Sequence, residues 1–157
     1  WLFVGEGPGA EEDERGEPFV GQAGKLLDAM LASIGLARGE DVYIANAVKC
    51  RPPGNRTPEA SEIAPCHPFL ERQIALIQPR LIIALGRPAA QTLLNAEIKI
   101  GTARGRLFDR QGIPVIVTYH PAYLLRNLED KSKSWEDLGF AQDQMRRLKA
   151  SPRGDGA

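Results

Sequence analysis

The sequence predicts an α/β protein: a three-layer α/β/α sandwich around a central, mostly parallel four-stranded sheet. Two observations carry this. Four short aliphatic runs lack polar alternation, as strands covered on both faces do. Helical patterns separate most of them, and strand–helix alternation builds a parallel sheet with helices on both sides. The 157 residues suffice for one domain with a real core, placed at 1–150, and the small, polar residues 151–157 read as a frayed tail.

The first strand is Leu2 to Val4. A chain that opens inside a core strand is expected to lack a preceding segment. Next, Ala23, Leu26, Leu27, Met30, Leu31 and Ile34 recur at helical spacing as one apolar stripe, and Gly35 stops the helix. Val42 to Ala45 is the second strand. Thr57 then Pro58 is a cap followed by proline at the first helical position, and Ile63, Leu70, Ile74 and Ile77 continue that helix. Pro65 and Pro68 must kink or restart it. The third strand, Leu81 to Leu85, precedes a short helix from Arg87 to Leu94, and the fourth is Val115 to Thr118. The link from Asn95 to Pro114 breaks the alternation and leaves room for extra strand or loop. Leu138, Ala141, Met145 and Leu148 give a last amphipathic helix.

Composition narrows the function classes. Hydrophobic residues make up 43% and charged residues 25%, ordinary for a globular protein. No stretch approaches the ~20 apolar residues of a membrane span, and no signal-peptide pattern opens the chain, so no membrane partner and a cytoplasmic location are expected. The 20 basic and 20 acidic side chains cancel, which argues against a broad electrostatic grip on nucleic acid. Any such contact must come from local placement of Lys and Arg.

The unusual residues fall where the strands end. Gly5-Glu6-Gly7-Pro8-Gly9 follows the first strand, Asn46 the second, Gly86 the third and Tyr119-His120-Pro121 the fourth. In a parallel sheet these positions share one edge, and open α/β sheets bind ligands outside the carboxyl ends of their strands. The glycines let the backbone turn sharply and approach a ligand, or merely connect strand to helix. A phosphate loop does not fit: there is no Gly-Lys-Ser/Thr ending, and Glu11, Glu12 and Asp13 would repel phosphate. Phe19, bracketed by Pro18 and Gly21, is either a core anchor or a platform for stacking a flat base. Asn46 either closes a turn or offers its amide to a pyrimidine edge. His120, one of two histidines, is either structural or placed for ligand chemistry. Pro121-Ala122-Tyr123-Leu124-Leu125-Arg126 is either a wedge with a phosphate anchor or the start of a helix. Cys50, in a proline turn, and Cys66 are the chain's cysteines; two thiols without a CxxC make a weak metal signal.

Taken together, Gly5-Glu6-Gly7-Pro8-Gly9 with Glu12-Asp13, Gly16-Glu17-Pro18-Phe19-Val20-Gly21, Asn46 ahead of Lys49-Cys50-Arg51-Pro52-Pro53, Cys66, and Tyr119 to Arg126 resemble, in order and spacing, the family 4 uracil-DNA glycosylases of the iron–sulfur type. The resemblance runs from Trp1 to about Leu148. It implies a monofunctional repair enzyme that flips uracil out of DNA and hydrolyses its N-glycosidic bond, leaving an abasic site. It implies that His120 hydrogen-bonds the departing uracil, assisted by the Gly7 amide, that Phe19 stacks on the base and that Asn46 reads its edge. Glu6, and less directly Glu12, would position water or stabilise the cationic sugar. Pro121, Tyr123, Leu124 and Arg126 would contact DNA. It further implies a [4Fe-4S] cluster with Cys50 and Cys66 as two of its four ligands, no cofactor for the chemical step, uracil-containing DNA as partner and a monomeric state.

Two departures matter. The best-known uracil glycosylases carry a water-activating aspartate where this chain has Gly7, as is normal in family 4. The family's upstream cysteine pair is absent here, which a missing preceding segment would explain. The alternatives are a non-catalytic DNA- or nucleotide-binding module on the same fold, a superfamily member that crosslinks to uracil sites through its histidine, and a cysteine-based sensor. Crosslinking members carry a basic insertion, for which Gly101-Thr102-Ala103-Arg104-Gly105-Arg106 is short.

Overall fold

A computed structural model of the chain describes residues 1–5, 21–39, 42–46 and 67–150, those at 46 and 67–69 by backbone alone. In chain order the elements are β1 (Leu2–Gly5), α1 (Gln22–Ser33), β2 (Tyr43–Asn46), α2 (His67–Ile77), β3 (Ile82–Leu85), α3 (Arg87–Leu94), α4 (Ile100–Ala103), β4 (Phe108–Arg110), β5 (Ile113–Thr118), α5 (Pro121–Arg126), a 3₁₀ turn (Leu128–Asp130) and α6 (Lys131–Ala150). The Thr57–Pro58 start predicted for α2 and the tail at 151–157 lie outside the described residues.

The sheet runs β2-β1-β3-β5-β4. The first four of these strands are parallel, and β4 joins antiparallel to β5. The predicted four-stranded sheet is thus corrected to five strands. The fifth comes from the link that broke the alternation. Arg110 pairs with Ile113, so Gln111 and Gly112 form a two-residue hairpin loop. Both have positive φ (51° and 89°), as a type I′ turn requires.

Strand side chains alternate between two cores, which is why the central strands β1 and β3 are apolar throughout. Phe3, Leu81, Ile83, Leu85 and Ile116 face Leu27, Met30 and Leu31 of α1 and Leu138, Ala141 and Met145 of α6. Leu2, Val4, Ile82, Ala84, Val115 and Val117 face Leu70 and Ile74 of α2, Ala89, Ala90 and Leu93 of α3, and Ala103 of α4. Helices on both faces make the predicted three layers. The α1 terminus is a Schellman cap: Leu36 N–H bonds to the Leu31 carbonyl at 2.9 Å and Gly35 N–H to the Ala32 carbonyl at 3.0 Å. Gly35 holds φ +76° there, so the stop signal works through the left-handed conformation.

Candidate active site

The four parallel strands end nearly level. Gly5 pairs with Asn46 across β1 and β2, and Leu85 pairs with Thr118 across β3 and β5. Asn46, predicted to follow β2, is its last residue. Because β1 runs to β2 on one side and β3 lies on its other, the strand order reverses direction around β1, and such a switch point opens a crevice at the carboxyl edge. A cavity of about 310 Å³ lined by Trp1, Tyr43, Gln78, Arg80, Met145 and Lys149 lies at the opposite end of the strands, so it is no part of this crevice. Glu6, Gly7, Glu12, Phe19, Cys50 and Cys66 lie outside the described residues, as does the side chain of Asn46.

His120 occupies the edge where β5 gives way to α5. It is the N-cap of that helix: its Nδ1 accepts the Ala122 amide N–H at 3.0 Å, and its carbonyl accepts the N–H groups of Tyr123 and Leu124 at 3.0 and 3.2 Å. An accepting Nδ1 carries no proton, so the neutral ring holds its proton on Nε2, which is shielded from solvent. Burial, aided by the positive charge of Arg126, lowers the imidazole from its usual 6.5 to about 4. At neutral pH His120 is therefore an uncharged N–H donor of fixed tautomer.

Gly86, the first residue after β3, sits against this ring. Its N–H bonds to the Thr118 carbonyl at 2.9 Å, and it holds φ +94°. A Cβ here would come within 3.1 Å of the His120 Cβ. Glycine is thus required both by the backbone conformation and by the close approach of the histidine.

Behind the histidine lies a polar cluster that sequence reasoning did not find. Asp137 of α6, 3% exposed, accepts from Thr118 Oγ1 at 2.5 Å and from Arg104 Nε at 2.9 and 3.2 Å. Burial pushes its carboxyl upward, opposed by Arg104 and Thr118. The Arg104 guanidinium also donates to the Lys133 carbonyl at 2.9 Å and lies 5.7 Å from the Tyr119 ring centre. Tyr119 stacks on Tyr123 with centroids 4.9 Å apart and planes 12° apart, and the Tyr123 hydroxyl donates to Asp130 at 2.5 Å.

A family model described as "Uracil DNA glycosylase superfamily" matches residues 1–139. The chain belongs to that superfamily. It is similar to proteins named type-4 uracil-DNA glycosylase from Thermotoga maritima (52% identical over 80% of this chain and 66% of the relative), Archaeoglobus fulgidus (51%, over 79% and 66%) and Pyrobaculum aerophilum (46%, over 88% and 74%). The chain thus spans about two thirds of the length of the first two relatives.

Within this superfamily member, the Pro121–Arg126 segment is the short helix α5, and its four predicted DNA contacts separate. Leu124 is fully buried, in one core with Leu27 and Met30. Pro121 is buried at the first helical position, and Tyr123 is held by Tyr119 and Asp130. Arg126 is exposed, and beside it Leu125 and Leu128 are 41% and 59% exposed. Helical spacing alone does not separate the two leucines, since Leu124 at i+3 and Leu125 at i+4 are both neighbours of Pro121. The basic stretch before β4 is also resolved. Arg104 turns inward to Asp137 with a 17% exposed side chain.

No helix of the described residues is long and apolar enough to cross a membrane. Among the described residues no group of three or more His, Cys, Asp or Glu side chains is arranged to hold a metal ion.

Proposed function

We propose that this chain excises uracil from DNA, hydrolysing the N-glycosidic bond and leaving an abasic site, as a monofunctional enzyme acting as a monomer. The observation that carries this is the neutral, Nε2-protonated His120 at the carboxyl edge of the sheet, in a chain of the uracil DNA glycosylase superfamily. As the bond from C1′ to the base N1 breaks, the electron pair departs with the base and its charge spreads to the uracil O2. His120 Nε2–H donates a hydrogen bond to that oxygen, and the Gly7 amide assists. A preorganised donor of this kind is worth roughly 10²–10³ in rate. An imidazolium would be a stronger donor, but keeping it charged in a buried place would cost more than the neutral ring does.

The remaining roles follow chemistry. Phe19 stacks on the extruded base and Asn46 pairs its amide with the uracil edge. The sugar becomes cation-like; Glu6, with Glu12 in support, orients the water that adds its oxygen to C1′ and accepts the water's proton. Arg126 holds a backbone phosphate, and exposed Leu125, rather than buried Leu124, takes the wedge position.

Cys50 and Cys66 supply two thiolates toward a [4Fe-4S] cluster, which takes four.

The test is product analysis. A labelled duplex with one uracil should yield free uracil and, after alkali, a strand break at that position, while the thymine duplex yields neither. Tight binding to the uracil duplex without release of base would replace the enzyme reading by a binding module.

A further inference from the structure

The His120 segment is gripped from behind at both flanks, and the grip converges on one ion pair. On the upstream side, Thr118 donates to Asp137 and stands 3.1 Å from Ser134 Oγ, while Tyr119 lies under the Arg104 guanidinium. On the downstream side, Tyr123 stacks on Tyr119 and bonds Asp130, itself paired with Lys133 at 3.0 Å. Only His120, Pro121 and Ala122 lie between the anchored residues. Arg104 arrives from the α4–β4 connection and Asp137 from α6, so the pair also ties two layers to the end of β5.

We propose that Arg104 and Asp137 are a positioning pair that fixes the His120 loop through Thr118 and Tyr119. The proposal rests on the glycosylase reading for its kinetic arm alone. A buried ion pair is a weak device for stability, since well-packed apolar residues serve as well, and its better-attested use is to specify one arrangement. One arrangement is what a donor of fixed tautomer needs: a displacement of about 1 Å at a reacting group can cost ~10²-fold in rate.

The experiment compares the wild-type chain with Thr118→Val, Thr118→Ser and the double variant Arg104→Met/Asp137→Leu. The double variant removes both charges together, so neither is left buried and alone. Two quantities are read: single-turnover uracil release against substrate concentration, and the ¹⁵N shifts of the two His120 ring nitrogens. The proposal predicts a maximal rate roughly 10- to 100-fold lower in Thr118→Val and in the double variant, with the half-saturating concentration nearly unchanged. It also predicts that the single-tautomer nitrogen pattern gives way to a mixture, and that Thr118→Ser keeps both wild-type values. If the folded double variant retains the wild-type rate and nitrogen shifts, with only its melting temperature lowered, the pair is merely structural and the proposal falls. If the wild type itself releases no uracil, the glycosylase reading fails, and the nitrogen shifts alone decide the positioning claim.

Discussion

Replacing Gly86 by alanine perturbs the site through a single methyl group. Gly86 holds φ +94° and ψ 167°, in a region essentially reserved for glycine, where any other residue costs about 1–3 kcal/mol. The new Cβ would also stand 3.1 Å from the His120 Cβ and 3.8 Å from its Cγ and backbone nitrogen. Ordinary carbon contact begins near 3.5–4.0 Å, so the histidine must retreat by roughly half an ångström or β3 must shift. The backbone cannot yield freely, because Gly86 N–H is bonded to the Thr118 carbonyl and its own carbonyl to the Ala90 N–H. We expect Gly86→Ala to lose about 2–4 kcal/mol in urea unfolding and about tenfold in single-turnover uracil release from the folded protein. Gly112→Ala is the control: its φ is +89°, but nothing lies within 4 Å of the added Cβ. It should lose about 1 kcal/mol and no activity. If Gly86→Ala loses no more activity than Gly112→Ala, the close approach of Gly86 to His120 has no bearing on the chemistry.

Further outcomes follow from the same geometry. Because the His120 pKa is lowered from 6.5 to about 4 in the folded chain, the unfolded state alone takes up a proton between those values. Stability should then fall as pH drops through that window, by at most about 3 kcal/mol, and be constant above it. Asp137, pushed upward by burial, works in the opposite direction, so urea unfolding of wild type and His120→Gln from pH 7 to 4 isolates the histidine; equal pH dependence in the two would refute it. Leu124→Ala should cost about 2–5 kcal/mol of stability, whereas Leu125→Ala should change stability by under ~0.5 kcal/mol and weaken binding to uracil duplex. The reverse pattern would give the wedge to Leu124. Arg126→Ala should lower the slope of log affinity against log salt by about 1, and an unchanged slope would remove its phosphate contact.

Much of the architecture was legible because period and punctuation agreed. The β3 and β5 runs, the α1 stripe with its Gly35 stop and α3 from Arg87 to Leu94 all stand within a residue or two of their predicted places. What escaped reading has a physical pattern. β4 is three residues long, and its turn is Gln111-Gly112 rather than the asparagine-glycine that signals a tight hairpin. Pro114 sits inside β5, where proline usually argues against a strand. The Arg104–Asp137 pair spans 33 residues, and nothing local distinguishes either side chain from a solvated surface charge. Strand ends can be assigned to one edge from topology alone, which places Asn46, Gly86 and His120 at the same edge of the sheet. Which of two adjacent leucines points inward, by contrast, depends on the phase of a helix only six residues long.

The central claim is that a neutral His120 assists the departure of uracil, and the rate of uracil release against pH tests it most directly. Wild type and His120→Ala would be compared under single turnover from pH 8 to 5. A donor titrating at about 4 predicts a wild-type rate with no histidine inflection near 6.5, and a loss of at least about 100-fold in the variant at every pH. A wild-type rate that rises as pH falls through 6.5 would mean that an imidazolium does the work. Equal rates in the two proteins would mean that His120 does none of it.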